Sequence, residues 1–128
     1  MRKFIVLGIL LLTLLVGCSN KTTLTTDEEV TNLVNNYLEA LELTDVSSLV
    51  KYSDDLRFPD KVEQKERYSN IDENITDTKI VELKKVSETK FEVTVELIDN
   101  GGYLKKPTFP VEKQKTGWKI IVGQDQDL

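Results

Sequence analysis

Phe91-Glu92-Val93-Thr94-Val95-Glu96-Leu97, closed by Asp99-Asn100-Gly101-Gly102, is the stretch that decides the fold. Phe91, Val93, Val95 and Leu97 alternate with Glu92, Thr94 and Glu96. Successive strand side chains point to opposite faces, so this pattern predicts a strand with one buried and one wet face. Asn100 and Gly101 tolerate the positive φ of tight turns, so the chain should reverse there. Upstream, Ser87-Glu88-Thr89 separates this strand from an earlier one over residues 79–86. Downstream, a third strand is expected over residues 103–113. Pro107 and Pro110 cannot donate to a ladder, which predicts an edge or bulged strand. Thr116-Gly117 turns the chain into a last strand with Trp118, Ile120 and Val122 on one face. The C-terminal half therefore reads as a meander of about four antiparallel strands.

The N-terminal half has a different period. Thr26 and Glu29 have capping-box spacing, with Asp27 and Glu28 well placed for the first turn of a helix. Val30, Leu33, Val34, Tyr37, Leu38 and Leu41 recur at helical spacing, while Asn32, Asn35, Asn36 and Glu39 fall on the other side. Such a one-sided helix must lie on an apolar surface. Asp45 is placed to cap a second helix with Val46, Leu49 and Val50 on its buried side. Leu56-Arg57-Phe58 is expected to be a short strand. Pro59-Asp60 then breaks the chain and starts a charged third helix through residue 68. Helices followed by an antiparallel sheet give an α+β domain, with the helices packed on one face of the sheet.

Composition limits the chemistry. The chain has 128 residues, 17 Lys and Arg, 22 Asp and Glu, no histidine and one cysteine, a net charge of −5. An acidic domain is repelled by polyanions, so no nucleic-acid partner is expected. Without histidine the commonest general base and metal ligand is missing. No G-x-S-x-G, phosphate-binding glycine loop or metal spacing occurs, and neither metal nor cofactor is expected. Asp54-Asp55 and the tail acids Asp125 and Asp127 read as solvated surface charge. The expectation is a protein that is not an enzyme.

Tyr37-Leu38-Glu39-Ala40-Leu41, followed by Asp45-Val46 and Leu49-Val50, resembles the opening helix pair of the nuclear transport factor 2-like (cystatin-like) superfamily. Thr116-Gly117-Trp118-Lys119-Ile120 is similar to the closing strand of its small secreted members. The resemblance covers residues 26–123 and implies helices lying across a curved antiparallel sheet, with room for a pocket between them. The candidate lining residues are Tyr37, Tyr52, Arg57, Tyr68, Tyr103 and Trp118. The competing reading makes Tyr37 and Trp118 core residues with polar tips at the edge. Enzymes of the superfamily can work with Asp and Tyr in an apolar pocket, but no such pair stands out from spacing here.

Arg2 and Lys3 followed by the uncharged residues 4–16 read as the basic and apolar parts of an export signal, too short for a membrane span. Leu15-Val16-Gly17-Cys18 closes that run and resembles a bacterial lipobox. The resemblance implies cleavage between Gly17 and Cys18, and a diacylglyceryl group on the Cys18 sulfur. Removing Arg2 and Lys3 leaves 15 basic residues against 22 acidic ones, a net charge of −7. The expected organisation is a signal peptide at 1–17, the lipidated cysteine and a flexible tether at 18–25, a single domain at 26–123 and a polar tail at 124–128. The expected location is the extracytoplasmic face of the cell membrane. The function expected there is a lipid-anchored, non-catalytic interaction module for an envelope protein. The alternatives are a carrier of a small ligand in the concave pocket and, last, an isomerase- or dehydratase-like enzyme.

Overall fold

The computed structural model describes residues 24–124, so Leu15, Val16, Gly17 and Cys18 lie outside the described residues. Helix α1 (Thr26–Leu43) opens on a capping box, but one residue earlier than its sequence suggests. Thr25, not Thr26, is the N-cap. Its hydroxyl accepts from the Glu28 N–H, and the Glu28 carboxylate accepts from the Thr25 N–H. Both registers fit the T-x-x-E pattern, because Thr25-Thr26 is followed by Glu28-Glu29. Val30, Val34, Tyr37, Leu38 and Ala40 form the buried stripe of α1, and the asparagines face water. Thr44, at φ 55°, ends the helix in the left-handed region. Asp45 then caps α2 (Val46–Tyr52), accepting from the Ser48 N–H and hydroxyl.

The first strand, β1 (Ser53–Asp55), follows without a break. It replaces the strand expected at 56–58, which instead turns back on itself: the Phe58 N–H bonds the Asp55 carbonyl at 2.9 Å. Asp60 caps α3 (Lys61–Ser69), as its position after Pro59 suggests. This helix is charged except for one face carrying Gln64 and Tyr68, both buried. Gln64 donates to the Ser53 hydroxyl at 3.0 Å, and that hydroxyl donates to the Leu49 carbonyl at 2.6 Å. The Lys61 ammonium binds the carbonyls of Ser53 and Val50 and the carboxylate of Asp54. These polar ties fix α3 against α2 and β1 where apolar contact is scarce.

Strands β2 (Thr76–Ser87), β3 (Lys90–Ile98), β4 (Leu104–Lys105), β5 (Thr108–Gln114) and β6 (Gly117–Val122) complete one sheet. The main path is β1-β6-β5-β3-β2, with β4 pairing β3 beyond β5. The sheet thus has six strands, and it is mixed, because β1 runs parallel to β6. The stretch 103–113 is interrupted, as its prolines require: β4 pairs only β3 and is an edge, whereas β5 is internal. β5 pairs β3 on one side and β6 on the other. Pro110 escapes the conflict because its ladder to β6 begins only at Val111.

The main path ends at β1 and at the long β2. Three register shifts interrupt β2, and Lys79, Lys84 and Lys85 line it, two devices that discourage recruitment of another strand. Phe91, Val93, Val95, Val111 and Ile120 form the fully covered sheet side of the core against Val30 and Val34 of α1. Among the described residues no helix is long and apolar enough to cross a membrane.

Candidate functional site

Where α1, α2 and α3 meet the loop before β2, a cleft of about 200 Å³ opens. Leu41, Val46, Leu49, Ile71 and Ile75 supply its apolar wall, and Tyr37, Tyr68, Arg57 and Glu73 its polar groups. Three of the six sequence candidates, Tyr37, Arg57 and Tyr68, therefore come together. The other three lie apart. Tyr52 sits in a separate groove beside Asn36 and Glu39. Tyr103 is 69 % exposed at the hairpin. Trp118 packs edge-on against Phe91, ring centroids 5.6 Å apart, as a flank of the core.

The centre of the polar arrangement is Asp55, a residue taken from sequence as solvated. Its side chain is fully buried. Strand β1 places it beside Val122, on the core side of the sheet. Arg57 Nη2 donates to Oδ2 at 2.6 Å, Arg57 Nε to Oδ1 at 2.9 Å and the Arg57 backbone N–H to Oδ1 at 3.0 Å. The Tyr68 hydroxyl donates to Oδ2 at 2.5 Å. A two-pronged guanidinium contact plus a phenol uses the acceptor sites of the carboxylate. The turn at 56–58 produces this geometry, because it brings the Arg57 side chain back over the residue two before it.

The electrostatics follow from these contacts. Burial by itself raises the Asp55 pKa, but the Arg57 and Tyr68 hydrogen bonds and the guanidinium charge outweigh it and hold the carboxyl below its usual range. Hydrogen bonding to Asp55 in turn holds Arg57 charged. Burial, then the Asp55 hydrogen bond, pushes Tyr68 up to about 12. Burial also raises Tyr37 above the ordinary phenol range. At neutral pH the site holds an ion pair and two neutral phenols.

Gly123 closes the back of this pair. A Cβ there would lie 2.7 Å from Asp55 Oδ1 and 3.1 Å from Arg57 Cγ, and the residue has φ +84°. Asp55 is not among the residues lining the cleft, whereas its partners Arg57 and Tyr68 are.

With the architecture in hand, similarity to solved structures becomes informative. A ketosteroid isomerase-like protein from Erwinia carotovora atroseptica superposes with TM-score 0.50 at 18% identity, over 75% of this chain and 92% of that one. A domain with a cystatin-like fold from Nostoc punctiforme superposes with TM-score 0.52 at 12% identity, over 77% of this chain and 75% of that one. The fold is nuclear transport factor 2-like, or cystatin-like. A SEC-C motif containing protein from Psychrobacter arcticus reaches TM-score 0.56 at 12% identity, over 80% of this chain and 64% of its own. No protein-family model matches the chain, and no curated protein matches it in sequence. At such identities the likeness concerns the fold alone, and nuclear transport factor 2-like domains carry unrelated functions.

Asp55, Glu73 and Gly123 escaped the sequence reading. Asp55 and Arg57 stand at i and i+2, a spacing that faces one way in a strand, but the strand was expected three residues later. Glu73 belongs to a loop with no pattern. Gly123 follows the last strand, where a glycine reads only as its end.

Proposed function

We propose that the protein is a non-catalytic binding module of the bacterial envelope, held at the membrane by lipid on Cys18, that engages an envelope protein through the cleft. The observation that carries this reading is the state of Asp55. A general base needs a free lone pair and a pKa near the working pH. Asp55 has its oxygens engaged by Arg57 and Tyr68, a depressed pKa and no place in the cleft wall. The Asp–Tyr juxtaposition that could have argued for an enzyme is thus a closed structural unit. The volume of this cleft favours an inserted side chain over a whole free ligand. Pockets that bury small molecules usually span roughly 300–1,000 Å³. A cleft of about 200 Å³ suits one inserted side chain. A lipid anchor with a short tether raises the local concentration of such a module beside membrane partners.

The test is site-specific photocrosslinking of the full-length protein in cells. A photoreactive residue replaces Thr44 at the cleft, and in a parallel strain Lys84 on the β2 edge. The reading expects a membrane-protein adduct from position 44 and none from 84, and loss of both membrane retention and adduct in Cys18→Ala. An unlipidated wild type, equal adducts from both positions, or saturable turnover of a small molecule lost in Tyr37→Phe would overturn it.

A further inference from the structure

The cleft has an unbalanced charge and an unused hydroxyl. Arg57 contributes no net charge to it, because Asp55 neutralises the guanidinium at 2.6 Å. Glu73 lines the same cleft and has no hydrogen bond or ion pair among the described residues, so its carboxylate is the uncompensated charge of the wall. Tyr37 is 94 % covered, yet its hydroxyl makes no hydrogen bond among the described residues. It lines the cleft together with Tyr68, Arg57 and Glu73, and its oxygen is open to a partner from the cleft. Leu41, Leu49 and Ile75 form an apolar neck beside these groups.

From this arrangement we infer that the cleft receives a lysine side chain of the partner protein, with the alkyl stem along the apolar neck and the ammonium between Glu73 and the Tyr37 hydroxyl. The inference rests on the binding reading above and names the group that is bound. An ammonium is donor-only, matching one carboxylate and one phenol oxygen, and its four-carbon stem can be buried while the charge stays polar-paired. An anionic group would meet an Arg57 already neutralised by Asp55 and would lie against Glu73. The acidic domain as a whole, net −7 after removal of residues 1–17, draws the same sign of partner.

The experiment titrates the full-length chain, in nanodiscs of zwitterionic lipid, with n-butylammonium, which reproduces the lysine side chain. 1-Butanol and butyrate are the neutral and anionic controls. Backbone amide shifts of Leu41, Thr44 and Ile71 report binding. Saturable shifts with butylammonium, and weaker ones with both controls, are expected. Glu73→Gln should weaken butylammonium about two- to fivefold, the span measured for accessible charge pairs, and leave butanol unchanged. Tyr37→Phe should weaken butylammonium as well. Equal or stronger response to butanol or butyrate, no response at these residues, or insensitivity to Glu73→Gln would overturn the inference. The two readings fail separately. An adduct from position 44 without butylammonium binding would sink only the lysine assignment. Butylammonium binding without an adduct would sink the partner reading.

Discussion

Removing the charge of Asp55 tests the centre of the site. Asp55→Asn keeps the shape and one oxygen. That oxygen can still accept from the Arg57 backbone N–H and Nε, which bind Oδ1 at 3.0 and 2.9 Å. The new amide nitrogen then faces Arg57 Nη2 and the Tyr68 hydroxyl, two donors where a carboxylate oxygen stood. Breaking a buried pair by removing one partner costs about 3–5 kcal/mol when the survivor stays dry. The Arg57 side chain is 46 % exposed, so water can reach it and the loss is smaller, about 2–3 kcal/mol. Tyr68→Phe removes one charge-assisted bond and should cost about 1–2 kcal/mol. With Asn at position 55 the same tyrosine change should cost about half as much, because the two groups act as one unit. Urea unfolding at pH 7 of the soluble chain from residue 19 gives these values. Asp55 has a lowered folded pKa, so its contribution is present above the ordinary carboxyl pKa of 3.8 and is lost as pH falls through the folded value. The gap between wild type and Asp55→Asn should therefore close below that range. Loss of under about 0.5 kcal/mol at pH 7, or a gap unchanged at pH 2, would refute the reasoning.

Other outcomes follow from the same structure. Gly123→Ala and Gly102→Ala both place a side chain at positive φ, which costs about 1–3 kcal/mol, but only the former also strikes the Asp55 carboxylate; thermal unfolding should find Gly123→Ala the more damaging, and equal shifts would contradict its role behind the pair. Leu38→Ala should lose about 2–5 kcal/mol from the core, whereas exposed Asn36→Ala should stay within about 0.5 kcal/mol, both by urea titration. Tyr68 has a raised folded pKa, so its contribution is full below the ordinary tyrosine pKa of 10.0 and is lost as pH climbs through about 12. Stability measured across that window should fall more gently in Tyr68→Phe than in wild type.

The parts of the fold legible in the sequence are those governed by local period. The alternation of 91–97 gives β3, and the stripe from Val30 to Leu41 gives α1, because each face is buried along its whole length. Asp45 and Asp60 announce α2 and α3 because an N-cap acts within three residues. What escaped depends on distant partners. Ser53–Asp55 has no strand pattern of its own and is extended because β6 lies beside it, 67 residues along at Ser53↔Ile120. The prolines of 103–113 suggested an edge or a bulge, which holds for β4 but not for β5, whose ladder to β6 starts one residue after Pro110. At the site, residue type alone does not decide which aromatic side chains meet. Tyr37 and Tyr68 lie on helix faces that turn inward, while Tyr103 belongs to a hairpin that turns outward. Asp55 looked solvated because pairs of acids usually are; its burial follows from a turn that folds Arg57 back over it.

The parallel pairing of β1 with β6 also sets an order of events. Asp55 finds its strand neighbour only in Val122, and Leu56 its carbonyl acceptor in the same residue, both close to the C-terminus. The sheet beside the ion pair therefore cannot close until residue 122 is available. Closing a loop of that length is slow compared with forming α1 or the β2–β3 hairpin. Until then the core lacks Ile120 and Val122. A circular permutant that joins the segment of β6 directly ahead of β1 should fold faster on dilution from urea than the natural order.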